Sequence, residues 1–222
     1  MLGQAFSDPS SSETALGRLP MKTHSKILFL SLVLVGLVIA GAGVASAQDV
    51  YKVNYFSNNA PLIPLTNAAA IALPDGTVRI DNPGLTYGNL CAMVYVFDAD
   101  QQMSECCGCI ETHNGLRTLS VRRDLTSNPL TGVVSNTGVI KVISAAINNS
   151  PCDPSANVTP KANLRVWATH IQNAVGTAWP VTETESSDST LGATELANLQ
   201  AQCSFLHILG SGQGICSCGT GD

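Results

Sequence analysis

The chain has 222 residues, of which 45% are hydrophobic, 12% charged and 5% aromatic. Eleven Lys and Arg stand against sixteen Asp and Glu, a net charge of −5. That balance argues against nucleic acid and against anionic membrane surfaces as partners, since both demand basic patches.

Lys22, His24 and Lys26 precede an almost unbroken apolar run, Ile27 to Ala42, which gives way to Ala45-Ser46-Ala47. A basic region, an apolar core and an A-x-A site predict a secretory signal peptide over residues 21–47. A retained membrane anchor is the alternative, but the run is short for a full span and no charges follow it. Residues 1–20 read as an extension ahead of the natural start at Met21. Cleavage leaves a chain from Gln48 with eight basic and fourteen acidic residues, a net charge of −6, and no membrane attachment.

Gln48 to Asn59 carries Val, Tyr and Phe in alternation and predicts a strand, with a Pro-rich linker completing residues 48–75. That strand either opens the sheet or is donated to a neighbouring subunit in a filament, so self-association is a candidate property. Residues Gly76 to Asn82 read as a strand with Val78 and Ile80 on one face. The stretch from Leu90 to Arg123 organises the rest. It predicts a strand from Cys91 to Phe97, a turn at Asp98 to Gln101, and a returning strand from Met103 to Ile110. Asn114-Gly115 then gives the strongest hairpin signal in the chain, leading to a strand with Leu116, Leu119 and Val121.

Asp124 to Gly132 reads as a loop, Gly138 to Ile147 as a strand, and Asn148 to Pro160 as a polar loop holding Cys152. Asn163 to Gln172 alternates Leu164, Val166, Ala168 and His170 against Arg165, Trp167, Thr169 and Ile171; Trp179 to Glu185 is a further strand. From Gly192 to Leu209, Leu196, Leu199, Cys203 and Leu206 fall on one helical stripe, with Gly192 and Glu195 as a weak cap. Glycines make the remaining tail a loop. Short strands at regular turn spacing plus a terminal helix predict a mainly β fold. The expected form is a disulfide-stapled antiparallel β-sandwich of Ig-like general architecture over 76–190, with the helix and tail over 191–222.

Cys91, Cys106, Cys107, Cys109, Cys152, Cys203, Cys216 and Cys218 are an even set behind a signal peptide, which predicts disulfides; eight cysteines allow 105 connectivities. In a strand, Cys107 and Cys109 share a face and Cys106 takes the other. Cys216 and Cys218 repeat that C-x-C spacing. If the tail lies beside the central hairpin, parallel disulfides tie it there; if reduced, Cys107, Cys109, Cys216 and Cys218 could hold zinc or Cu(I). The one-residue spacing does not suit a zinc knuckle, so no metal site is favoured. Cys203 on the buried stripe would pin the helix. Cys106 to Cys109 has thioredoxin-like spacing, but in a β context.

His113, His170 and His207 fall in a turn, a strand and a helix, and no catalytic motif accompanies them. Asp98, Asp100 and Glu105 lack the full ligand pattern of a calcium loop. No catalytic residue and no cofactor is predicted. The segments VYVFDADQQMSECCGC, NGLRTLSVRRDLTSNPLTG and CSFLHILGSGQGICSCG resemble those of exported, cysteine-rich proteins from soil bacteria of the acidobacterial kind. The resemblance implies a bacterial, exported protein and transfers no activity. The expectation is a structural or adhesive component of a surface, matrix or filament. A thiolate metal-binding or redox protein, and a secreted enzyme without a recognisable motif, are the alternatives.

Overall fold

The computed structural model describes residues 49–58, 74–86, 88–126, 135–148, 152–156, 158–173, 175, 178–210 and 218, all within one compact unit, Ser46–Asp222. The expected signal peptide, the extension before it and most of the Pro-rich linker lie outside the described residues. So does Cys216. Nine strands are described: β1 (Tyr51–Asn58), β2 (Thr77–Asp81), β3 (Leu90–Asp98), β4 (Met103–Glu111), β5 (Leu116–Ser120), β6 (Thr137–Ala146), β7 (Arg165–Ile171), β8 (Val181–Glu185) and β9 (Ser187–Asp188). Two helices join them, α1 (Val121–Asp124) and α2 (Ala193–Gly210). Among the described residues, no helix is long and apolar enough to cross a membrane.

The strands form one mixed, nearly closed, barrel-like sheet in the order β4-β3-β6-β1-β7-β2-β5, with β8 on β7 and β9 on β1. This corrects the expected antiparallel sandwich while keeping its mainly β character and terminal helix. Alternation tells which face of a strand is apolar, but it does not tell which strands are neighbours. The departure from antiparallel pairing is at β1 and β7, which run parallel where Ser57 meets His170 and Asn58 meets Ile171. β6 takes one whole edge of β1, from Tyr51 to Ser57. β9 and the end of β7 share the other edge, so β1 is an interior strand of its own sheet.

A second correction concerns Asn114-Gly115. The turn forms, with Asn114 at φ 59° and the Gly115 N–H donating to the Thr112 carbonyl at 2.8 Å. Yet β4 and β5 lie at opposite ends of the strand order. The turn crosses the seam of the barrel instead of closing a hairpin. The strand expected to include Val121 also stops earlier, at Ser120. The Ser120 hydroxyl accepts from the Arg123 N–H, and the Asp124 carboxylate accepts from the Ser120 N–H, so α1 begins with a reciprocal cap.

The sheet has two buried faces. Inside, Phe56, Val78, Ile80, Leu90, Val94, Leu119, Ile140, Val142 and Val166 form one continuous core. Outside, Tyr51, Met93, Tyr95, Met103 and Ile143 are covered by Leu199, Cys203 and Leu206 of α2. The stripe read from the sequence is thus the docked one, and each leucine so buried contributes about 2 kcal/mol. The N-terminus of α2 is held electrostatically: Lys141 Nζ reaches Glu195 at 2.6 Å, and the Tyr51 hydroxyl donates to the same carboxylate at 3.0 Å.

Candidate functional site

β3 and β4 are where the cysteines gather. Their antiparallel register sets Val94 opposite Cys107, Tyr95 opposite Cys106 and Ala92 opposite Cys109. Pleating then sorts the cysteines by face, as strand geometry requires. Cys107 and Cys109 belong to the inner core, whereas Cys91 and Cys106 belong to the outer one.

Three disulfides follow from this sorting. On the outer face, Cys91 bonds Cys152 and clamps the loop after β6 onto β3, while Cys106 bonds Cys203 and clamps α2 onto β4. On the inner face Cys109 bonds Cys218 and brings the tail to the seam. Cys107 is disulfide-bonded too, its sulfur 4.0 Å from that of Cys109, with its partner outside the described residues. Gly108 faces outward, opposite Met93 and on the side of Cys106, and it is glycine for a steric reason. A Cβ there would stand 2.1 Å from the Cys152 carbonyl oxygen, so only glycine lets the clamped loop lie against β4.

Arg117 finishes the seam. Its Nε pairs with the buried Glu111 carboxylate at 2.7 Å, and its terminal nitrogens donate to the carbonyls of Ile110 and Cys218. One guanidinium thus joins β4, β5 and the tail, where no backbone ladder runs between the two strands among the described residues.

The three histidines do not converge. His113 is exposed in the β4–β5 turn, its N–H donating to the Asn89 side chain. His170 is buried where β1 and β7 part; its Nε2 donates to the Tyr55 carbonyl at 2.8 Å and its ring stacks on Tyr55 at 3.9 Å. That imidazole replaces a backbone bond across the gap. His207 is different. It is half-buried on α2, and its Nε2 lies 3.6 Å from both Cys106 Sγ and Cys203 Sγ. No spacing among the histidines themselves marks it. The signal was the four-residue step from Cys203, which puts both side chains on one helix face.

Among the described residues, two clusters have metal-ligand types within reach: Cys106, Cys203 and His207, and Cys107, Cys109 and Cys218. The calcium candidates are not brought together as a site. Asp98 closes its turn by accepting from the N–H groups of Asp100 and Gln102, both at 2.9 Å, while Glu105 is buried within β4.

Two hollows remain. An apolar one of about 570 Å³ lies between the β3–β4 turn and α2, lined by Gln102, Met103, Gln202, Phe205 and Leu206 among others. A polar one of about 260 Å³ includes Asp49, Lys52, Arg165, Glu185 and Asp188. Its lysine is engaged by both Asp49 and Asp188. Burial opposes the charged form of Lys52, but those two carboxylates outweigh it and hold its pKa above the usual lysine value. A lysine so paired is poorly placed to act as a base. Comparison with protein-family models, with curated proteins and with solved structures returns no match.

Proposed function

We propose that this is an exported scaffold protein with a structural or adhesive role at a cell surface or in an extracellular matrix. The observation that supports it most is the placing of the disulfides. Each described bridge ties a segment that the sheet's own hydrogen bonds do not hold: the Cys152 loop, the helix and the tail. Multiple disulfides of this kind point to an oxidising, non-cytoplasmic compartment. The polar side chains singled out above are occupied in joining strands: Arg117 with Glu111, His170 with the Tyr55 carbonyl, and Lys52 of β1 with Asp188 of β9. Phe205, Ile208 and Leu209 on α2 stay exposed and offer apolar surface for contact.

Fractionation of producing cells, with thiol alkylation before and after reduction, tests the reading. The expected result is protein at the surface or in the medium, with cysteines that resist alkylation until reduced. Sedimentation and pull-down on cell-wall and matrix polymers then test the role itself. Cytoplasmic protein with free thiols would overturn export. A purified monomer that binds neither itself nor those polymers would overturn the structural role.

A further inference from the structure

We infer that Cys106, Cys203 and His207 form a redox-gated site for a Cu(I) ion. The oxidised protein holds these residues as a disulfide with an imidazole against it, and the reduced protein holds them as three ligands. Cys106 comes from the outer face of β4; Cys203 and His207 come from one face of α2, a single helical turn apart. Their ligand atoms lie within 4.8 Å of one another, with the two sulfurs bonded to each other, so it is the sulfurs that must part for an ion to enter. The His207 Nε2 lies 3.6 Å from each sulfur of the disulfide, which is the nitrogen–sulfur spacing a shared ion needs once reduction has let the two sulfurs part. A metal about 2.3 Å from sulfur and about 2.0 Å from nitrogen separates those ligand atoms by about 3.6–3.7 Å.

The gating step balances with a dithiol as reductant. The dithiol gives two electrons and two protons to the Cys106–Cys203 bond, which breaks to two thiols, while the dithiol closes to its own disulfide. Cu(I) then displaces both thiol protons to solvent and forms two bonds to sulfur and one to Nε2. The ligand set selects the ion. Thiolates favour Cu(I) and zinc among common metals, but zinc prefers a fourth ligand, and among the described residues this site gathers three. The cysteines are fully buried and His207 half-buried, so the imidazole side is the way in. The inner cluster of Cys107, Cys109 and Cys218 has no imidazole, which makes nitrogen coordination the mark of the outer site.

The test reduces the intact protein with a phosphine, adds one equivalent of Cu(I) under nitrogen, and reads the copper shell by X-ray absorption. The expected shell is two sulfurs and one nitrogen. His207→Gln should lose the nitrogen and weaken Cu(I) retention by about tenfold or more in competition with a chelator. Unreduced protein should bind none at the site. A sulfur-only shell, unchanged retention in His207→Gln, or a preference for zinc would overturn the assignment. If reduction alone unfolds the chain, Cu(I) should restore near-ultraviolet circular dichroism in the parent and not in His207→Gln; failure to restore it in the parent overturns the proposal equally.

Discussion

The two faces of strand β4 carry the same chemistry in different settings. On the inner face Cys107 and Cys109 are both disulfide-bonded, among aliphatic side chains and beside Cys218 at the seam. On the outer face a single disulfide, Cys106–Cys203, holds a whole helix, and a histidine touches it. The inner face of β4 is tied twice over within three residues and its outer face once, the other outer bridge starting from Cys91 on β3. Redundancy therefore marks the part that closes the barrel. The exchangeable chemistry sits where a helix could lift away and leave the sheet standing.

Replacing the outer pair, as Cys106→Ala with Cys203→Ala, should have the largest effect. Although the sequence separation is 97 residues, the Cys109–Cys218 bond shortens the loop that the outer bond closes to roughly 18 residues, for which chain entropy predicts about 3 kcal/mol. Urea unfolding should read that loss. Hydrogen exchange should show α2 deprotected while β3 and β6 keep their protection. Replacing Cys109 and Cys218 in the same way should cost less, because Cys107 still ties the inner face two residues away. If the inner pair proves the more costly, the redundancy is not real.

Gly108→Ala probes the outer face alone, where the clamped Cys152 loop lies on β4. The new methyl group would meet the Cys152 carbonyl oxygen at 2.1 Å, and because that oxygen is backbone, either β4 or the clamped loop must shift. Overpacking of this kind costs about 1–3 kcal/mol. The Cys91–Cys152 disulfide should at the same time become easier to reduce, read by timed alkylation. Unchanged stability would mean that the loop is held more loosely than its clamp implies.

Much of this layout was legible beforehand, for a specific reason. Strand pleating has a period of two, so Cys107 and Cys109 had to share a face and Cys106 had to leave it. The helical stripe of Leu199, Cys203 and Leu206 was equally plain, and it is the buried one. Neighbour relations were not legible. At the parallel meeting of β1 with β7 a buried imidazole, His170, bonds the Tyr55 carbonyl, and alternation describes that residue only as one more inward one. Asn114-Gly115 specifies a tight turn and says nothing of whether the strands beside it pair. In the sequence Arg117 is one polar residue between Leu116 and Thr118, with nothing to single it out; only the fold shows it holding the tail's carbonyl across the seam.

Glu195 provides the mildest probe, at the other end of α2. Its carboxyl is held below the usual glutamate range, first by the hydrogen bond from Lys141, against an opposing push from burial, and further by the Tyr51 hydroxyl. Burial, with Glu195 second, pushes the Tyr51 phenol well above its ordinary value, so it remains the donor through neutral pH. A carboxyl whose pKa is depressed by folding contributes stability above its unfolded value, and that contribution disappears as pH falls through the lower folded value. Glu195→Gln should therefore destabilise the protein at pH 7 by less than about 1 kcal/mol, since the pair is partly solvated. The gap from the parent should narrow as the pH falls below about 4. Urea titrations at pH 7 and pH 3 would measure it. A gap that stays constant between them would mean that α2 is seated by Leu199, Leu206 and its disulfide alone, and that its N-terminal charge is incidental to docking.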